Sequence, residues 1–370
     1  MALENSEDRF SRRVFLTAAV AGVVGTAGKA ASGRQAAEKP HEATTQRAPA
    51  VKFGRDWSQI KGFNYQPSYG SSGFELWQKF DAKTIEVELG RGKKYFPHMN
   101  ALRWWQSWDS FLRDPKRYAR NFATTLDIAE KFGLVVMPVL FNRWHSPELD
   151  YGGIYIDHFL PRVSWVQRPG MFDAFLEALV GRHKDDPRIL AWDLCNEPYS
   201  YSCPREKIPD IVKAETDWLK SLYDKCKKLG ATAPITVGIH PGVPLEMIDP
   251  ISDILSIHPY WIHNSKYAKK EAYEEKLDAE VAFARKVGKP LLATECCWGS
   301  LDDKVRVESI RYTLTQLKKR GIGWLVYLLH HSLIADAHRP EFGPLGFPGN
   351  LAFIEADGSL RPGHEVFNEF

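Results

Sequence analysis

The feature that most constrains this chain is an alternation, repeated eight times, of short apolar runs with longer amphipathic stretches. The runs are nearly continuous in apolar residues, which is typical of parallel β-strands that are covered on both faces. The pattern therefore predicts eight strands separated by helices. The eight runs are Lys61–Tyr65, Met99–Trp104, Leu134–Phe141, Ile189–Leu194, Ile235–Ile239, Ile254–His258, Pro290–Thr294 and Gly323–Leu329.

The stretches between the runs have helical periodicity, because their apolar residues recur at spacings of three and four. A glycine often comes between such a stretch and the next run, and glycine tolerates the left-handed conformation in which helices commonly end. The helical stretches are Pro115–Phe132, Pro169–His183, Ile208–Leu229, Tyr267–Val287 and Lys304–Arg320, and the glycines are Gly133, Gly230, Gly288 and Gly321.

Eight such units predict an α/β protein with one domain, a single (β/α)8 TIM barrel over residues 51–370. The alternative is a doubly wound sheet, which usually has a glycine-rich phosphate turn after its first strand. Here the first run ends Gly62-Phe-Asn-Tyr65 without such a turn, so the barrel is favoured.

The first 50 residues contain none of the 12 Trp and 14 Tyr of the chain. Arg12 and Arg13 precede an apolar run from Val14 to Ala27, which is shorter than the about 20 residues of a membrane-spanning helix. The segment resembles a bacterial twin-arginine export signal, although a basic tail beside a short core helix is the alternative. We predict an export signal over residues 1–35 and a flexible linker over 36–50. The twin-arginine translocase would deliver the folded protein to the periplasm or the medium, without stable membrane insertion.

Charge and cysteine content exclude several other classes. Residues 1–50 hold seven Lys and Arg against five Asp and Glu, which leaves a net charge of only +1 on the remainder. A nearly neutral domain argues against a nucleic-acid partner. The five cysteines form no zinc-binding pattern, and we expect no metal and no cofactor. Cys296 and Cys297 are adjacent, so they form either a strained vicinal disulfide or two buried thiols, of which the thiols are favoured.

Two glutamates follow predicted strands at the end where barrel enzymes place their chemistry. Asn196 and Glu197 follow the fourth run, and Glu295 follows the seventh. A carboxylate in such a place is costly to bury unless it is paired or functional. One is often an ion-pair partner, but two on opposite walls of one barrel mouth can flank a scissile bond as acid and nucleophile.

Asn-Glu-Pro after the fourth strand, with a second Glu after the seventh, resembles the retaining glycoside hydrolases of clan A. The likeness is strongest to glycoside hydrolase family 5, the cellulase and mannanase family, over about residues 56–370. It implies a retaining hydrolase of β-mannan- or β-glucan-type glycans, with an oligo- or polysaccharide as its partner. It also implies that Glu197 is the general acid/base and Glu295 the nucleophile. The nucleophile must stay ionised, which a nearby cation favours, and the acid must stay protonated, which a drier setting favours.

The resemblance implies supporting roles for four further residues. Asn196 matches the residue that binds the sugar 2-hydroxyl and orients the acid/base. Arg103 matches an arginine that hydrogen-bonds the nucleophile, and His258 and Tyr260 match a pair lining the same side of the site. The residues alone leave open an inter-strand salt bridge for Arg103 and a core position for His258.

Two strand ends depart from the family pattern. The third run ends in Phe141 and Asn142 where many members have a histidine at the sugar subsite, a change often seen in mannan-active relatives. We expect Asn142 to contact substrate. The eighth run leaves the platform under the sugar open among Trp324, Tyr327 and His330.

Half of the tryptophans fall on or just beyond the ends of predicted strands, where flat rings can stack on sugars. Of these we expect Trp105, Trp261 and Trp298 to bind substrate. The other three are Trp104, Trp108 and Trp144.

Three other functions are compatible with parts of the sequence. A transglycosylase would use the same site, and an inert glycan-binding barrel would use the aromatic residues without needing both glutamates. A metal-dependent hydrolase would draw on His330, His331, Asp336 and His338. Barrels of that class often begin with a His-x-His pair on the first strand, where this chain has Asn64 and Tyr65.

Overall fold

The computed structural model describes residues 51–52, 54–143, 153–161, 165–201, 203–262, 269–334 and 349–370. Within them, eight parallel strands form one closed barrel in which each strand pairs with the next and the eighth pairs with the first. The predicted (β/α)8 barrel is thereby confirmed. The predicted export signal and linker lie outside the described residues. The strands are β1 Lys61–Asn64, β2 Ala101–Trp105, β3 Val135–Asn142, β4 Trp192–Asn196, β5 Ile235–Ile239, β6 Leu255–Ile257, β7 Leu291–Ala293 and β8 Gly323–Val326.

The helices begin and end as their local sequence dictates. Side chains of Ser72, Asp81, Asp114 and Asp302 accept hydrogen bonds from the first turns of the helices that begin at Gly73, Ala82, Pro115 and Asp303. The four predicted helix-ending glycines all have φ between 66° and 84°, which confirms their role. No helix among the described residues is both long and apolar enough to cross a membrane. The α-helices are α1 Gly73–Gln78, α2 Ala82–Tyr95, α3 Trp108–Arg113, α4 Pro115–Lys131, α5 Asp173–Leu176, α6 Pro209–Lys228, α7 Lys270–Val287 and α8 Asp303–Lys319.

Three predicted elements differ clearly from the structure, one of them the eighth run Gly323–Leu329, which forms a strand only over Gly323–Val326. The stretch Pro169–His183 forms only the short helix α5, which runs directly into a π-helical turn at Glu177–Gly181. Gly170 has φ 74°, a conformation that an α-helix cannot include, so the helix begins after it. The fourth strand begins at Trp192 rather than Ile189, although Ile189 still forms an isolated parallel bridge with Val136 of β3.

The barrel interior changes character along its axis. At the amino-terminal ends of the strands it is apolar, with Ala101, Met137 and Leu325 packed against Trp57 of a short 3₁₀ helix. At the carboxyl ends it is lined by buried polar and charged groups, among them Arg103, Asp193 and Glu295. Burying charge is costly without partners, so this end must form a connected hydrogen-bond network.

Candidate active site

The guanidinium of Arg103 is the centre of that network. It is fully buried on β2 and donates through Nε and Nη2 to Asp193 Oδ2 at 3.0 and 2.8 Å. Nη1 donates to Glu295 Oε1 at 2.5 Å and to Asn64 Oδ1 at 3.1 Å, and Nη2 also donates to Asn196 Oδ1 at 2.8 Å. Burial alone would lower the pKa of Arg103, but the charges of Asp193 and Glu295 raise it above its ordinary value. Arg103 is thus a fixed cation beside Glu295, as well as an inter-strand bridge to Asp193.

Glu295 is held from two sides. Opposite the contact with Arg103, the hydroxyl of Tyr260 donates to Glu295 Oε2 at 2.8 Å. Burial, and then the negative charges of Glu295 and Glu197, raise the pKa of Tyr260 well above its ordinary value. Tyr260 therefore keeps its proton over the working pH range. Both oxygens of Glu295 accept hydrogen bonds, which fixes the orientation of its side chain.

Glu197 faces Glu295 across the mouth. His258 Nδ1 lies 2.7 Å from Glu197 Oε1 and 3.7 Å from Glu295 Oε2, so the imidazole contacts both carboxylates. One carboxylate oxygen of each glutamate and one His258 nitrogen lie within 4.8 Å of one another. Glu197 and Glu295 are 8% and 5% exposed, so they are largely shielded from solvent yet reachable from the mouth.

Backbone geometry at Glu197 directs its side chain into the mouth. Its amide donates to the carbonyl of Gly238 at 2.8 Å, which extends the pairing between β4 and β5. Its φ is 47°, in the left-handed region that non-glycine residues rarely adopt. Such a conformation costs about 1–3 kcal/mol and is concentrated at functional sites.

Strand register brings the two predicted asparagines together. Asn142 of β3 pairs with Asn196 of β4, and Asn196 Nδ2 donates to Asn142 Oδ1 at 3.0 Å. Because Asn196 also accepts from Arg103, its side-chain amide is oriented by two partners. Asn142 therefore lies next to the site, where the sequence predicts a substrate contact.

Gly238 on β5 is a functional residue that the sequence analysis missed. A Cβ at this position would lie 2.7 Å from His258 Nε2, 3.0 Å from Asp193 Oδ2 and 3.1 Å from Arg103 Nη2. No side chain fits there without displacing one of these groups. The only sequence signal is a glycine within an otherwise apolar strand, which can mark a close approach of other groups.

Position separates the three residues proposed for the platform on the eighth strand. Trp324 is buried near the start of β8, where its ring is 6.4 Å from that of Phe370. His330 lies 3.2 Å from Arg91, away from the glutamates. Tyr327 packs in one cluster with Trp105, with ring centroids 6.1 Å apart. Tyr327 is thus the one of the three candidates on the mouth side.

The predicted substrate-binding tryptophans divide into two groups. Trp105 lies beneath the guanidinium of Arg103, 4.7 Å from its Cζ to the ring centroid, and Trp298 packs edge-on against Tyr260 at 5.4 Å. Trp261 is placed differently, because its ring packs against Tyr312 of α8 at 4.7 Å. The structure gives Trp261 a packing position between the barrel and its helices.

The three remaining tryptophans also differ in place. Trp104 is buried against Tyr65 and Trp77, because alternation along β2 directs its side chain away from that of Arg103. Trp108 stacks on Trp165 with centroids 5.2 Å apart. Trp144 lies outside the described residues.

A narrow recess opens beside this group, lined by Gln66, Leu76, Trp105, Gln106, Asn142 and Ile334 among others. Its lining combines amide groups with an aromatic ring, so polar and apolar surfaces meet next to Asn142.

Metal binding by the same side chains would meet an electrostatic obstacle. Among the described residues, Glu197, His258 and Glu295 form the group whose donor atoms are close enough for one ion. The cationic guanidinium of Arg103 already contacts Glu295 at 2.5 Å, so an ion there would face a buried like charge. Asp336 and His338 of the other candidate cluster lie outside the described residues.

The cysteines are all thiols in the described residues. Cys296 and Cys297, which directly follow Glu295, are fully buried with their sulfurs 3.7 Å apart. This arrangement agrees with two buried thiols rather than a vicinal disulfide.

Two buried glutamates face each other at the carboxyl ends of the strands of a closed (β/α)8 barrel. The protein is therefore a barrel protein with a paired-carboxylate site. Residues 93–332 match the family described as Cellulase (glycosyl hydrolase family 5). The chain therefore belongs to glycosyl hydrolase family 5.

Curated relatives carry mannosidase names. The chain is 24% identical over 307 residues to mannan endo-1,4-beta-mannosidase A of Emericella nidulans, covering 79% of this chain and 74% of that protein. It is 24% identical over 247 residues to probable mannan endo-1,4-beta-mannosidase A-1 of Aspergillus terreus, covering 61% of each. It is 31% identical over 103 residues to mannan endo-1,4-beta-mannosidase F of Aspergillus clavatus, covering 26% of this chain. The match spans only 61% and 23% of the length of the last two relatives.

Solved structures share the fold at lower identity. Exo-beta-1,4-mannosidase Op5Man5 from Opitutaceae bacterium strain TAV5 superposes with a TM-score of 0.63 at 20% identity, covering 84% of this chain and 58% of that one. A GH5_18 protein from Streptomyces cattleya, in complex with GlcNAc, gives 0.63 at 16% identity, covering 88% and 80%. These likenesses show a common barrel.

Proposed function

We propose that this protein is a retaining glycoside hydrolase that cleaves β-linked glycans, with β-mannan-type substrates favoured over β-glucans. The observation that carries the proposal is that oxygens of Glu197 and Glu295 lie within 4.8 Å of each other. Retaining enzymes hold their carboxyl groups about 5–5.5 Å apart, whereas inverting enzymes need about 6.5–9.5 Å to admit a water molecule.

The contacts of Glu295 and Glu197 indicate the role of each glutamate in the reaction. Glu295, beside the cation of Arg103 and the hydroxyl of Tyr260, attacks the anomeric carbon as a carboxylate. The bond from that carbon to the leaving oxygen breaks, and Glu197 gives its proton to this oxygen. Glu197, now ionised, then takes a proton from water, whose oxygen displaces Glu295 from the sugar. The free sugar leaves with its original β configuration, and both glutamates return to their starting states.

Two features favour mannose as the sugar. Phe141 and Asn142 end the third strand where, by the family resemblance, many members have a histidine and mannan-active relatives often look like this chain. The curated relatives and the bacterial structure at 20% identity have mannosidase names. Tyr327, Trp105 and Trp298 would supply the aromatic surfaces for the sugar rings.

The test is a screen of aryl β-mannosides, aryl β-glucosides, mannan, β-glucan and xylan, with the first product followed by proton NMR. We expect turnover with the β anomer formed first, and we expect Glu295→Gln to lose at least about 10³-fold in kcat while keeping its fold. Near-wild-type activity in that variant, or the α anomer first, would overturn the proposal.

Two other outcomes of the screen identify the alternative functions. Transfer of the sugar to an added acceptor in preference to water would identify a transglycosylase. Saccharide binding without turnover of any substrate would identify a glycan-binding barrel.

We also propose that residues 1–35 direct export through the twin-arginine route to the periplasm or the medium. The support is the Arg12–Arg13 pair before a short apolar run. Fusion of residues 1–50 to a reporter that works only outside the cytoplasm tests this. Export should be lost in the Arg12→Lys, Arg13→Lys double variant, and unchanged export there would contradict the proposal.

A further inference from the structure

A buried ion pair lies beside the segment that carries Glu197 but outside the site itself. Arg143, the residue after β3, donates from Nε to Glu215 Oε1 of α6 at 3.0 Å. Their side chains are 1% and 0% exposed. A pair so deeply buried is costly to form, which directs attention to what it holds in place.

We infer that this pair, which we name the Arg143–Glu215 clamp, positions Glu197 for proton transfer. Arg143 and Glu215 are positioning residues in this account, because they act through the backbone of residues 196–201. The inference rests on the proposed function, since it assigns a reason for the clamp only if Glu197 is the acid/base.

The clamp contacts both ends of that segment. At its start, the backbone amide of Arg143 donates to the carbonyl of Asn196 at 3.0 Å. At its end, Arg143 Nη2 donates to the carbonyl of Ser200 at 3.5 Å, and the hydroxyl of Tyr201 donates to Glu215 Oε2. Segment 196–201 is therefore tied to the clamp on either side of Glu197.

The backbone between these ends needs such support. Glu197 and Tyr199 have φ of 47° and 61°, two left-handed non-glycine residues within three positions. The hydroxyl of Tyr199 donates to Thr216 Oγ1 at 3.2 Å, next to Glu215 on α6. A backbone in sparsely populated conformations persists only where its surroundings hold it, and here α6 and Arg143 provide that hold.

Tyr201 is the position at which a substitution tests the clamp with the least change in packing and charge. The Cζ of Arg143 lies 5.5 Å from the Tyr201 ring centroid, so a phenylalanine there keeps the packing and loses only the hydroxyl. Glu215→Gln removes the negative charge that Arg143 contacts and keeps the shape of the side chain. Burial raises the pKa of Glu215, while Arg143 and the Tyr201 hydroxyl act against that rise.

The test compares two leaving groups in kcat/KM. A 2,4-dinitrophenyl glycoside expels a stable phenolate without help from an acid, whereas a phenyl glycoside needs the proton of Glu197. The sugar is whichever of β-mannose or β-glucose the wild-type protein hydrolyses. Tyr65→Phe is the matched control, because the Tyr65 hydroxyl also donates to a buried carboxylate, Glu88 at 2.6 Å, and Tyr65 follows β1, three strands around the barrel from β4.

We expect Tyr201→Phe and Glu215→Gln to lose about tenfold or more on the phenyl glycoside and to stay within about twofold on the dinitrophenyl glycoside. Tyr65→Phe should change both substrates alike. Equal losses on both substrates in Tyr201→Phe, or no loss on the phenyl glycoside, would overturn the inference. If Glu215→Gln does not fold, as judged by near-ultraviolet circular dichroism, Tyr201→Phe decides. Failure of the wild-type protein on every aryl glycoside would instead refute the proposed function, before any variant is measured.

Discussion

Arg103 Nη1 lies 2.5 Å from Glu295 Oε1, and the same guanidinium is held from the other side by the buried carboxylate of Asp193. The cation therefore cannot move toward either partner without losing the other. A guanidinium fixed in this way is a preorganised positive charge beside the proposed nucleophile. Its position depends on the absence of a side chain at Gly238.

Gly238→Ala tests this packing. The added methyl group would push against His258 Nε2 and Arg103 Nη2, so we expect a loss of about 1–3 kcal/mol in the free energy of unfolding and about tenfold or more in kcat/KM. Chemical denaturation and steady-state kinetics measure the two effects. Gly90→Ala in α2 is the control, because its Cβ would meet only Phe132 at 3.5 Å and a helical alanine is favoured. Equal behaviour of the two variants would contradict the account.

Tyr260→Phe tests the second contact of Glu295. Removing the hydroxyl takes away one of the two hydrogen bonds that orient the carboxylate, so we expect kcat/KM to fall by about tenfold or more while the fold is kept. Steady-state kinetics at neutral pH and circular dichroism measure the two effects. The basic limb of the kcat/KM–pH profile should not report Tyr260 in the wild-type protein, since the pKa of this tyrosine is raised well above its ordinary value. An unchanged kcat/KM in the variant would count against the contact.

Tyr327→Leu and Trp324→Phe together test the platform assignment. Tyr327 lies in the cluster at the mouth, so its replacement should lower kcat/KM by about tenfold or more through lost stacking. Trp324 packs at the start of β8, so Trp324→Phe should reduce stability and leave kcat/KM within about twofold. The reverse pattern would place the sugar platform on Trp324.

Glu280 on α7 predicts a pH dependence of stability that is independent of catalysis. Burial raises the pKa of Glu280 to about 7, although Lys276 opposes the rise at 3.6 Å. The folded protein then binds more protons than the unfolded chain between pH 4.5 and about 7, so stability falls as pH rises through this range. Compared with wild type, Glu280→Gln should gain up to about 3 kcal/mol in unfolding free energy at pH 8 and little at pH 4. A difference that is the same at both pH values would contradict this assignment.

Much of the site follows from strand ends alone. In a parallel barrel all carboxyl ends meet at one mouth, so Glu197, Glu295 and Arg103 could be placed together from the apolar runs before them. Helix-ending glycines such as Gly133 could also be predicted from the sequence, because a local conformational preference determines where they occur. These features depend on short stretches of sequence and on one general property of the fold.

Features that depend on packing between distant segments could not be predicted. Arg143 and Glu215 are 72 residues apart, and neither has a local pattern that points to the other. Trp261 follows a strand end, as Trp298 does, yet its ring packs against Tyr312 of a helix. The choice of Tyr327 over Trp324 depends on where β8 starts relative to the mouth, which an apolar run does not reveal.

The central claim is that Glu295 forms a covalent bond to the sugar. Its most direct test is intact-protein mass spectrometry after incubation with a 2-deoxy-2-fluoro β-glycosyl fluoride of the hydrolysed sugar, followed by peptide mapping. The account predicts a mass increase of one fluorosugar on the peptide that contains Glu295, and no adduct in Glu295→Gln. An adduct on Glu197, or turnover with no adduct on either glutamate, would contradict it.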